Sequence, residues 1–169
     1  MKIIIYLSIC LCWFSTSAHA FDLNQAISMG INAVVQQTST TKAPTKLLNS
    51  FMEKLLIADF DQSAKQVMPY VHPSNYDATG TALDRDLLNF SFKKAHQNAK
   101  FYAHPVKITR SQALKTTNIG HPSRGTYQKG TEMKYWVAKK QGVNGMPAPL
   151  VVFFPADGAA PSISYMGSL

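Results

Sequence analysis

The chain has 169 residues, of which 46% are hydrophobic and 15% charged, with a formal charge of +8. That length fits one domain with ample core. Both cysteines, Cys10 and Cys12, fall within the first 20 residues, so the remainder has no disulfide framework, thiolate nucleophile or cysteine metal site.

Residues 1–20 read as a secretory signal peptide. Lys2 gives a positive start, Ile3 to Phe14 is a short apolar run, and Ala18-His19-Ala20 is a small-x-small cleavage site before Phe21. The apolar run is too short to span a bilayer comfortably. Ile9 before Cys10 does not make a lipoprotein box. The expected product is exported, to a periplasm or the extracellular fluid. Lys2 leaves with the leader and no acid does, so the charge becomes 8 − 1 = +7. A basic surface attracts anionic partners. Lys93-Lys94 and Lys139-Lys140 are isolated pairs, below the density of a nucleic-acid stripe.

Residues 21–43 predict a helix over Phe21 to Gln37, weakened by Gly30, and then a Thr-rich linker. The main domain is expected over 44–169. Leu47, Phe51 and Leu55 run beside Leu48, Met52 and Leu56, giving a helix with one broad apolar face. Asp59 stands three residues before Gln62, the spacing of a capping box, so a second helix starts there. Ala64, Val67 and Met68 are its predicted inward residues, and Pro69 and Pro73 stop it. SNYDATG is turn-like. A third helix is predicted to start at Thr81 to Asp84 and run to about Lys100, its basic end suiting the helix dipole.

From Pro105 the pattern changes to strands. Val106 and Ile108 alternate with polar residues, Asn118 to Gly130 reads as a long polar loop, and Met133, Tyr135 and Val137 alternate again. Leu150 to Phe154 has the continuous apolar texture of a strand buried on both faces, and Ser162 to Met166 forms the last strand. Helices first and an antiparallel meander of about four strands after them make an α+β fold.

This order resembles the nuclear transport factor two-like superfamily, which includes the SnoaL-like domains. The resemblance rests on LLIADFDQSAKQVMPYVHP, a third helix, and the ending PLVVFFPADGAAPSISYMGSL. It spans about 44–169, and the strand many members carry between the second and third helices is reduced to Tyr70 to Tyr76. It implies a curved sheet wrapped around the helices as a cone with an apolar pocket. The family includes isomerases, dehydratases, epoxide hydrolases and catalytically silent binding modules, and dimerisation through the sheet face is common in it.

The candidate chemistry is sparse. His72 is a potential base if an acid such as Asp59 or Asp61 orients it, although a helix cap and a turn explain the two locally. Tyr70, Tyr102, Tyr135 and Trp136 are candidate pocket-lining residues, or ordinary core. His121, Arg124 and Tyr127 stand in the polar loop as a candidate recognition surface, or a plain hairpin connection. No histidine pair has metal-ligand spacing, and there is no phosphate loop and no Gly-x-Ser-x-Gly elbow. No metal or cofactor is implied. The leading expectation is an exported, non-enzymatic domain that binds a protein partner or a small apolar ligand. The alternatives are a small isomerase or hydrolase using His72, and a binder of acidic lipid or other anionic surfaces.

Overall fold

The structure, a computed structural model, describes residues 44–169. The expected signal peptide and the expected helix and linker over 21–43 lie outside the described residues. Helix α1 spans 44–55. Leu48, Phe51, Met52 and Leu55 are each no more than 1% exposed, so most of the apolar face is buried; Leu47 is only partly so, and Leu56, predicted on the same face, falls in the turn after the helix and is 40% exposed. Burial of each such side chain contributes roughly 1.5–3 kcal/mol. Helix α2 (Phe60–Val67) begins where Asp59 accepts a hydrogen bond from the Gln62 amide at 2.6 Å. Val67 is fully buried, whereas Ala64 and Met68 are only partly so. The other fully buried residue of α2 is Ser63. Its hydroxyl donates to the Lys54 carbonyl at 2.8 Å, which satisfies both groups at the end of α1.

The third helix departs from expectation at its start. Asp84, not Thr81, caps it, its carboxylate accepting from the Asp86 amide at 2.9 Å. Leu83 instead bridges to Tyr76, and Thr81 belongs to a loop gathered around Asp77. The Thr79 hydroxyl and nearby backbone amides hold the Asp77 carboxyl below the usual carboxylate range. The helix opens with a π-turn (Leu87–Phe92) and continues as α3 (Lys93–Asn98). Phe92, Ala95 and Ala99 face the core, and Phe90 is left outside at 71% exposure.

The sheet is a four-stranded antiparallel meander in sequence order: β1 (Ile108–His121), β2 (Thr126–Val137), β3 (Ala148–Pro155) and β4 (Ser162–Tyr165). The fold is therefore α+β, with an open antiparallel sheet. The predicted loop over Asn118 to Gly130 is mostly strand. β1 and β2 stay paired to His121–Thr126, and residues 122–125 make the connection. Most of β1 is exposed on both faces, so it carries no alternation for a periodicity argument to find. Tyr135, Val137, Leu150, Val152 and Ile163 face the helices and join the core. Val151 and Phe153 are buried on the other side of β3, in agreement with the uninterrupted apolar run. Among the described residues, no helix is long and apolar enough to cross a membrane.

Candidate functional site

The segment after α2 supplies the centre of the site. Val71 pairs in parallel with Ile163 at the edge of β4, and the His72 amide donates to the Ile163 carbonyl at 2.8 Å. Side chains alternate along extended backbone. Val71 therefore enters the core, and His72 lies on the opposite face of the sheet. There its ring stands edge-on to Phe153, with centroids 4.9 Å apart. Phe153 can lie flat against β2 because Gly130 has no side chain: a Cβ there would come within 2.4 Å of the ring.

His72 also caps the short 3₁₀ turn Pro73–Asn75. Its Nδ1 accepts from the Ser74 amide at 3.1 Å and lies 2.9 Å from the Ser74 hydroxyl. A backbone N–H can only donate, so Nδ1 is the unprotonated nitrogen and Nε2 carries the hydrogen of the neutral ring. That Nε2–H has no acceptor in full hydrogen-bond geometry, although the residue is only 3% exposed; the Gln128 side chain is the neighbour that engages the ring, short of that geometry. Burial pushes the imidazole below its ordinary value of 6.5, outweighing the opposing side-chain hydrogen bonding of Gln128 and the charge of the Glu132 carboxylate. His72 is thus a buried, neutral donor whose Nε2–H lacks an acceptor in full hydrogen-bond geometry.

Its surroundings come from β2 and the turn after β3. The Glu132 carboxylate accepts from the Ser164 hydroxyl at 2.7 Å. The Gln128 side-chain amide donates to Asp157 at 3.0 Å. The Ala159 amide and Gln128 together hold Asp157 below the usual carboxylate range. A cleft of about 340 Å³ opens here, lined by His72, Ser74, Gly120, Tyr127, Gln128 and Asp157 among others. Gly120 is required for the hairpin to close, since a Cβ would fall 1.9 Å from the Thr126 carbonyl oxygen. The hairpin tip is tied to the rest of the site by Arg124. Its guanidinium donates to the Pro73 carbonyl and lies 5.8 Å from the Tyr76 ring centroid. His121 Nδ1 and Arg124 Nε are also buried there without partners.

The structure brings some predicted residues together and separates others. His72, His121, Arg124 and Tyr127 gather around one end of the β1–β2 hairpin. Asp59 is occupied as a helix cap, and Asp61 lines a different hollow, of about 310 Å³, with Met68, Leu83 and Leu88. The acid that acts on His72 is Glu132. Tyr102 and Tyr135 are buried in the core, and Tyr70 packs against it. Trp136 is on the opposite face of β2 from Tyr135, with the Arg110 guanidinium 4.5 Å above its ring. These four aromatics do not line one pocket. Gln128, Glu132 and Asp157 went unnoticed in the sequence. Gln128 and Glu132 share a strand face only if β2 is extended back to Thr126, and the polar texture there read as loop.

Neutral His72 with Nδ1 engaged can donate one hydrogen bond from Nε2. It has no free lone pair with which to take a proton. Among the described residues, no group of three histidine, cysteine, aspartate or glutamate side chains is placed to hold a metal ion. Comparison with family models, curated proteins and solved structures finds no match for this chain.

Proposed function

We propose that this is an exported binding domain, not a catalyst, and that its ligand is a peptide segment or small molecule presenting a hydrogen-bond acceptor to His72 in the cleft beside the β1–β2 hairpin. One observation carries the reading: a donor only 3% exposed, with no acceptor in full hydrogen-bond geometry among the described residues, on a side chain that lines a cleft. Buried polar groups are nearly always satisfied, and leaving one unpaired costs about 1–3 kcal/mol. A bound carbonyl or carboxylate oxygen would remove that cost. The resemblance to the nuclear transport factor two-like superfamily is compatible with this reading, since that superfamily includes silent binding modules. The enzymatic alternative asks His72 to act as a base, and the Ser74 amide already occupies the lone pair it would use.

The test uses the mature chain and its His72→Asn variant. Asparagine keeps an oxygen where Nδ1 accepts from the Ser74 amide, as in an Asx turn, and it removes Nε2. Screening a set of small amide- and carboxylate-bearing fragments by amide chemical shifts should move Gly120, Tyr127 and Gln128, and the variant should lose those shifts. Fragments that bind elsewhere, or equally well to the variant, would overturn the site. His72-dependent turnover of model esters or epoxides would overturn the non-catalytic reading.

A further inference from the structure

A second surface, remote in sequence from the His72 cleft, combines charge with exposed apolar side chains. Along the π-turn, α3 and the 3₁₀ turn that follows it (Ala99–Phe101), Phe92, Ala95 and Ala99 point inward, while Phe90, Lys93, Lys94, Gln97, Lys100 and Phe101 are all exposed. Successive members are three, one, three, three and one residues apart, the spacing of a single helix face. Phe90 is 71% exposed and Phe101 39%, so aromatic rings stand near both ends of a lysine row. The patch continues onto the turn after β2. Lys139 Nζ lies 5.7 Å from the Phe101 ring centroid, and the Lys140 amide donates to the Phe101 carbonyl. The same turn leads to Met146, which is 85% exposed.

The charge on this face is predominantly positive. Asp86, exposed one turn before Phe90, is the acid at the start of this face; from Leu87 to Ala156 the sequence contains one more, Glu132, and it is on the sheet, bonded to Ser164. Among the described residues the one ion pair is Lys54 with Glu53, on α1. A hollow of about 370 Å³ lies beside Lys93 and Lys94, walled by Phe90, Ser91, Gln97 and Gly167. It is large enough for a phosphate-bearing headgroup. A soluble partner would explain the lysines, but isolated protruding rings flanked by lysines have a more specific physical use. Lysines are drawn to an anionic bilayer surface while apolar side chains enter the boundary between headgroups and acyl chains.

We propose that this face docks the domain peripherally on an anionic phospholipid surface, with Lys93, Lys94 and Lys100 over the headgroups and Phe90, Phe101 and Met146 at the acyl boundary. The assignment is independent of the His72 cleft. It does not require a spanning segment.

Sedimentation of the mature chain with vesicles tests it. Binding is expected to vesicles containing anionic phosphatidylglycerol and not to pure phosphatidylcholine, and it should weaken steeply as salt rises. Lys93→Glu/Lys94→Glu should bind at least about twentyfold more weakly, at about 1 kcal/mol per lysine near the surface and more for charge reversal. Lys115→Glu/Lys129→Glu, the same charge change on the distant half of the hairpin, should bind within about threefold of the parent if the face and not the net charge decides. The indole of a Phe90→Trp variant should shift its emission to the blue on vesicles and be quenched by brominated acyl chains. Four results would each overturn the assignment: no binding to anionic vesicles, equal losses in the two double variants, no quenching of the Phe90→Trp indole, or retention by soluble heparin without retention by vesicles.

Discussion

Removing the titratable group at position 72 should flatten the dependence of folding stability on pH. The His72 imidazole is buried against Phe153, and its Nδ1 accepts from the Ser74 amide, so the folded chain favours the neutral ring. In the unfolded chain the ring titrates at the ordinary value of 6.5. As pH falls below that value the unfolded state takes up a proton that the folded state resists. The stabilisation is therefore complete above 6.5 and declines below it, until the folded ring also titrates. One proton contributes a slope of at most about 1.4 kcal/mol per pH unit. Between pH 7.5 and 5.5 the upper bound is about the same, roughly 1.4 kcal/mol, because most of the first unit lies above the unfolded titration.

The assay is urea unfolding of the parent and of His72→Asn at both pH values. Asparagine preserves the Ser74 turn but leaves a small cavity against Phe153, which lowers stability by a constant amount. The informative quantity is the difference between the two pH differences, from which that constant cancels. The parent should lose up to about 1.4 kcal/mol more than the variant. Asp77 and Asp157 are held low, so their contribution is lost only as pH falls through the carboxylate range, below about 4, outside this window. Equal losses in parent and variant would refute the neutral, buried imidazole and with it the assignment of Nε2 as an unpaired donor.

Other perturbations probe the frame around the site. Phe92→Ala should lower unfolding free energy by about 3–5 kcal/mol in urea titrations, because the ring is fully buried among the helices; a loss below about 1 kcal/mol would contradict that packing. Asp59→Ala should cost about 1 kcal/mol, by removing the oxygen that accepts from the Gln62 amide. Arg124→Ala should release the hairpin tip from Pro73 and Tyr76, so amide exchange across 118–128 should quicken about tenfold, the equivalent of one charge-assisted hydrogen bond. Unchanged protection there would mean that the arginine does not hold the tip.

The helices and the inner strands were legible because burial on one side, or on both, writes a period into the sequence. Leu48 to Leu55 repeats as a buried helix face must, Asp59 and Gln62 have capping geometry, and Leu150 to Phe154 is continuously apolar because both sides of β3 are covered. β1 was illegible for the converse reason. From Thr109 to Thr116 both faces are in water, so nothing alternates and a paired strand resembles a loop. The start of the third helix was misplaced because Thr81 and Asp84 both match a start signal. The choice was made by Leu83 bridging to Tyr76, a contact that spacing does not encode. His72 and the tip residues were visible as polar residues at bends. Their convergence depends on a hairpin longer than the sequence advertised and on an arginine reaching back from position 124 to 73.

The distribution of side chains across the sheet argues for where function can reside. A cone-shaped fold would place its pocket between helices and sheet, where Tyr102 and Tyr135 were candidates either to line it or to be ordinary core. In this chain those tyrosines pack with Phe51, Phe92, Leu150 and Ile163, all at or near zero exposure. The polar groups left unsatisfied, His72 Nε2, His121 Nδ1 and Arg124 Nε, lie instead where the turn after α2 meets the hairpin tip on the other side of the sheet. Among the described residues, these three buried nitrogens make that edge, and not the packed interior, the candidate site. Position 72 also connects the two sides: Val71 enters the core while His72 enters the cleft. Occupancy of the cleft should therefore be felt at the β4 edge, through the bond from the His72 amide to the Ile163 carbonyl.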